Sequence, residues 1–221
     1  MHTLSVPQAL AGSVAVVLLL VQLAMLRSLV LVELIALYAL QSLLVAIVCA
    51  TVGVVDGAWD LIFLAIITVV VKAFALPLYM RVLSHRVSSR VEIPARINVT
   101  ASLLIAAALI ALAMTTASRL PLHAGAFLPS ANLATTLSIV FVGFLIAILR
   151  PNALAQVIAF LTLENGLFFG TVTLAPGLPL VVGVLLLIDV VIAVVVFAVL
   201  VRVIVNERGS IATSSLESLR G

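Results

Sequence analysis

Long apolar runs recur along the entire chain, and they restrict its fold more than any other feature. A run of about 18 or more apolar residues is the length that crosses a bilayer as a helix. Seven such segments can be marked at roughly 5–26, 28–54, 59–81, 97–117, 132–149, 153–174 and 179–204. With 65% hydrophobic and 9% charged residues over 221 positions, no soluble domain has interior enough to hold them. The sequence therefore predicts an all-α, polytopic membrane protein of about seven transmembrane helices.

The links between segments are short, as in "VDGAWD", "RPN" and "APGLP". Two are longer, "RVLSHRVSSRVEIPAR" and "SRLPLHAGAFLPSAN", and the tail "NERGSIATSSLESLRG" is polar. Positive charge marks the loops on the cytoplasmic side of a membrane protein. Arg81, Arg86, Arg90 and Arg96 fall in the third link, Arg27 and Arg150 in the first and fifth, and Arg202, Arg208 and Arg220 at or in the tail. The alternate links carry Asp56, Asp60 and one Arg119. This places the N-terminus outside and the C-terminus inside. The net charge of +3 follows from these loops and is no sign of nucleic-acid binding.

The sequence also echoes itself. "RSLVLVELIALYALQSLL" overlays "RPNALAQVIAFLTLENGL", each opening with Arg, and fourteen residues on Gln41–Ser42 coincides with Glu164–Asn165. Segments 1–3 and 5–7 then read as parallel repeats around segment 4, a 3+1+3 arrangement. The same division gives 1–131 as an N-terminal group of four helices, 132–204 as a three-helix module and 205–221 as a cytoplasmic tail.

Four strongly polar side chains lie near the middle of their segments: Gln41, Lys72, Glu164 and Asp189. At about 1.5 Å per residue each is roughly 15–20 Å from a helix end. A mid-helix Asp or Lys costs about 2.5–3.5 kcal/mol on the insertion scale, so three ionisable groups cost on the order of 8–10 kcal/mol unless they meet each other or water. One reading is a structural ion pair of Lys72 with one acid. It leaves one carboxylate over. Glu164 and Asp189 each lie about ten residues from the turn between the last two segments, at matching depth. Two acids against one lysine leave a net negative charge that desolvation would discharge by proton uptake, so the second reading is a proton relay.

Pro77 lacks an N–H and clashes with the Ala73 carbonyl, which predicts a helix kink one turn beyond Lys72. The kink would either free a carbonyl beside the lysine or serve packing alone. Gly166 and Gly170 in "GLFFG" form a small-residue face for close helix contact. Asn165 beside Glu164, and Thr171 two turns after it, extend a polar path or simply pack. Glu33 is about two turns from a helix end, near enough to reach headgroups or Arg27, and Trp59 belongs to an interfacial aromatic belt. The single Cys49 reads as a small core residue, and the scattered His2, His85 and His123 offer no haem or metal site.

"RPNALAQVIAFLTLENGLFFGTVTLA" followed by "PLVVGVLLLIDVVIAVVVFAVLVRVI" resembles the hydrogenase-4 component E family, as do "VKAFALPLYMRVL" and the polar tail. Residues 132–204 are also similar to the small three-helix K subunit of respiratory NADH–quinone oxidoreductase and to its counterpart in multisubunit cation/proton antiporters. In those relatives two buried glutamates on consecutive helices belong to the proton path. Glu164 matches the first by motif. Asp189 matches the second only approximately, with Asp for Glu, while Lys72 and Gln41 have no counterpart in the three-helix proteins. The resemblance implies a subunit without a cofactor or catalytic site of its own, in the inner membrane of a prokaryote. Its partners would be antiporter-like membrane subunits and the peripheral nickel–iron and iron–sulfur subunits of an energy-converting hydrogenase-type complex. A stand-alone secondary transporter or an antiporter subunit is the alternative.

Overall fold

The structure, a computed structural model, describes residues 6–87, 97–120, 129–150 and 152–174. The elements formed by these residues are all helices, with no strand among the described residues. In order these are α1 (Val6–Arg27), α2 (Leu31–Asp56), α3 (Trp59–Ile67), a π-helical segment π1 (Thr68–Ala75), α4 (Leu76–Val87), α5 (Val99–Arg119), α6 (Pro129–Leu149) and α7 (Ala153–Leu174). α3, π1 and α4 join into one span. Among the described residues six helices are long and apolar enough to cross a membrane, and they coincide with the first six apolar segments of the sequence. The seventh segment, Asp189 within it, and the tail lie outside the described residues.

Helices are the outcome that lipid imposes, because each backbone N–H and C=O must find its partner within the segment. Local chemistry then sets the ends. Asn98 caps α5, its side-chain oxygen accepting from the Ala101 N–H at 2.8 Å. Asn152 does the same for α7 at Leu154 and Ala155, 2.9 and 3.3 Å away. α2 stops at Gly57, whose φ of 66° is the left-handed conformation that only glycine adopts freely, and whose N–H returns to the Gly53 carbonyl.

α6 and α7 pack tightly because glycines remove side chains from the interface. A Cβ on Gly166 would lie 2.7 Å from Ile139, and one on Gly170 would lie 2.6 Å from Thr136. Gly143 answers from α6, where a Cβ would meet Leu163 at 2.9 Å. The glycine face expected from "GLFFG" thus receives α6. α7 is the most enclosed of the six spans and α5 the least.

The buried apolar residues fall into two layers with a polar layer between them. One layer gathers Met25, Leu34, Tyr38, Met80, Ile146 and Ile158, around the turns that join α1 to α2 and α6 to α7. The other gathers Leu18, Val48, Leu61, Leu64, Ile139 and Phe169 toward the opposite end. Between them along the chain lie Gln41 and Ser42 on α2, Thr68 and Lys72 on π1, and Glu164 and Asn165 on α7. Residues facing outward, such as Phe63, Phe74, Phe144 and Phe160, are apolar, as contact with lipid requires. Trp59, the first residue of α3, is 80% exposed.

Candidate functional site

Lys72 sits on the one stretch of its span that is not α-helical. In π1 the backbone bonds reach five residues back, as in the Leu76 N–H to the Val71 carbonyl. The stretch ends two residues before Pro77. A proline ring collides with the carbonyl four residues earlier, and widening the preceding turns relieves that collision. The widened stretch contains the lysine.

From π1 the Lys72 ammonium reaches α7. Nζ donates to Glu164 Oε1 at 2.6 Å, and the residues are only 4% and 7% exposed. Asn165 Oδ1 is a second, longer acceptor at 3.5 Å. The ammonium also stands 5.8 Å from the centroid of the Phe168 ring, within cation–π range. Lys72 and Glu164 thus form the one ion pair among the described residues. Each offsets a charge whose solitary burial would be prohibitive.

Amide side chains extend the layer away from the pair. Asn165 Nδ2 donates to Ser42 Oγ at 2.9 Å and to Gln41 Oε1 at 3.3 Å. Gln41 Nε2 donates to Gln22 Oε1 at 2.7 Å, and Gln22 Nε2 donates to the Ile139 carbonyl at 3.3 Å. Every donor in this series points the same way, away from the lysine. The amide oxygens consequently face the ammonium, and their dipoles favour a cation at Lys72. Amides do not readily give up or take a proton. Lys72 and Glu164 are the ionisable members of the series, while the amides tie α1, α2, α6 and α7 into a fixed orientation around them.

Of the residues singled out in the sequence, Lys72, Glu164, Gln41 and Asn165 come together here. The two pairs that overlay in the sequence echo, Gln41–Ser42 and Glu164–Asn165, meet in space through Asn165. Thr171 does not join them: its hydroxyl bonds the Leu167 carbonyl of its own helix at 2.9 Å. Asp189 lies outside the described residues, so the carboxyl pair does as well. Cys49 is buried and donates to the Leu61 carbonyl at 3.2 Å. Among the described residues no three His, Cys, Asp or Glu side chains gather in a metal-binding group.

Two polar residues carry more than the sequence alone suggests. Gln22 lies only five residues from the end of α1, a position that reads as interfacial, yet it is fully buried. Its signal in the sequence is a lone amide within the first apolar run. Arg150 reads as one of the loop charges that report orientation. It is instead 1% exposed, with Nη2 donating to the Leu26 and Ser28 carbonyls at 2.8 and 2.7 Å. It closes the open C-terminal end of α1 and fixes the α1–α2 and α6–α7 turns at one end of the bundle. Burial lowers its pKa.

No family model matches the chain, nor does any curated protein or solved structure.

Proposed function

We propose that this chain is a non-catalytic membrane-arm subunit of a redox-driven, proton- or sodium-translocating complex of the energy-converting hydrogenase type. In this reading Lys72 and Glu164 are the ion-handling element, with Asp189 as the second acid. The supporting observation is a charged pair held midway along the bundle, on a span whose helix is widened where the lysine sits. Ionisable residues within membrane spans mark ion pathways far more often than they serve packing, and π-turns cluster at functional positions.

A mechanism follows from the two acceptors of Lys72. While Glu164 is ionised, it holds the ammonium at 2.6 Å. A proton arriving at Glu164 discharges the carboxylate and leaves the ammonium to Asn165 Oδ1, already 3.5 Å away. Departure of the proton restores the pair. The partners in this reading are antiporter-like membrane subunits and peripheral nickel–iron and iron–sulfur subunits, which carry the redox cofactors. The setting is the inner membrane of a prokaryote, with the C-terminus inside.

The test is Glu164→Gln in the assembled complex, with proton uptake measured in membrane vesicles per turnover of the electron-transfer reaction. The variant should assemble and lose most of its coupled proton movement. Full coupling in an intact complex would refute the relay. A stand-alone transporter is the second reading, favoured by the interruption of the third span at mid-membrane, where transporter sites are built. Purification from native membranes separates the two. A complex subunit brings iron–sulfur absorption and partner chains, and a transporter comes alone.

A further inference from the structure

At the end of the bundle where α1 turns into α2, two opposite charges line one cavity and leave each other alone. The cavity has a volume of about 370 Å³ and is walled by Ala24, Arg27, Ser28, Glu33, Ala36 and Leu37. That size falls within the roughly 300–1,000 Å³ typical of small-ligand sites. Arg27 and Glu33 are both exposed, and among the described residues the only ion pair is Lys72 with Glu164. The Glu33 carboxylate accepts a hydrogen bond from Ser28 Oγ at 3.0 Å, which orients it. Ser28 is itself fixed, because its carbonyl is bound by the buried Arg150. A cation and an anion held apart across one cavity are complementary to a zwitterion.

We infer that this cavity binds the headgroup of a phospholipid carrying a primary ammonium, its phosphate on Arg27 and its ammonium on Glu33. The location argues for a lipid. Both charges stand at the ends of membrane-crossing helices, and the neighbouring Leu29, Val30 and Val32 are exposed apolar side chains. Acyl chains can run along α1 and α2 from such a mouth. The lining argues for ethanolamine over choline. A primary ammonium donates hydrogen bonds to a carboxylate, whereas a quaternary one is recognised by aromatic faces, and none of the lining residues is aromatic. A glycerol headgroup would satisfy Arg27 and leave Glu33 beside its phosphate. The inference depends on the helices crossing a bilayer and is independent of the relay.

The experiment is native mass spectrometry of the purified full chain with phosphatidylethanolamine, phosphatidylcholine and phosphatidylglycerol of matched acyl chains. One interfacial charge contact corresponds to about a fivefold change in binding. Phosphatidylethanolamine should be retained about fivefold above the other two. Glu33→Gln should abolish that preference, and Arg27→Gln should lower retention of all three. Glu33→Asp, which keeps the charge, should keep the preference, and it covers the case in which Glu33→Gln fails to fold. Equal retention of ethanolamine and choline lipids, or an unchanged preference in Glu33→Gln, overturns the inference. Displacement of the lipid by equimolar soluble phosphoethanolamine would overturn the lipid as the source of the headgroup.

Discussion

The Lys72–Glu164 pair can be weighed by a double-mutant cycle with Lys72→Met, Glu164→Gln and the two together. Removing one member of a buried pair costs about 3–5 kcal/mol, because the other charge is left in a medium that does not solvate it. The double variant strands nothing and should fall within about 2 kcal/mol of the wild type, so with single losses of about 3 kcal/mol or more the coupling is at least about 4 kcal/mol. Equilibrium unfolding in mixed micelles, followed by circular dichroism, reads it. Single losses that add up to that of the double variant would refute the pair as described.

Two further substitutions probe the frame that holds the pair. Gly170→Ala places a methyl 2.6 Å from Thr136 and should cost about 1–3 kcal/mol in the same unfolding assay. Adding Thr136→Ala should recover most of that loss. Arg150→Met removes the donor to the Leu26 and Ser28 carbonyls and should cost about 1–3 kcal/mol for each acceptor left buried. Arg150→Lys should recover only part of it, since both carbonyls are held by Nη2 and a lysine ammonium does not extend as far from the backbone.

Six spans can be read from the sequence because lipid makes the demand for helices nearly independent of side-chain detail, so run length alone suffices. Depth is readable for the same reason. At a fixed rise per residue, Lys72 and Glu164 have to lie near the middle of their spans. Direction around the helix axis is not readable. A helix that is apolar on every side carries no periodicity to say which face is inward, so Thr171, two turns after Glu164 on α7, reads equally as a polar-path residue and as packing, although only the acid reaches π1. For a related reason Gln22 is not singled out in the sequence. Its position near the end of α1 suggests water, but the face it occupies is closed by Gln41 and the Ile139 carbonyl.

Arg150 carries this reasoning furthest. Charge counting treats a loop arginine as a marker of the side it lies on, a rule about insertion rather than about the folded state. Here the same residue, once inserted, turns inward and satisfies carbonyls that a helix end leaves open. Its buried guanidinium and the buried Lys72 ammonium perform different tasks for one physical reason. A cation inside the bundle persists only where oxygens converge on it. Two neutral carbonyls, those of Leu26 and Ser28, accept from Arg150 Nη2, and neither carries a charge to lose. Lys72 meets a carboxylate, which can exist in two. That difference in acceptor chemistry, more than depth or burial, is why the ion-handling role we propose is assigned to Lys72 and Glu164 and not to Arg150.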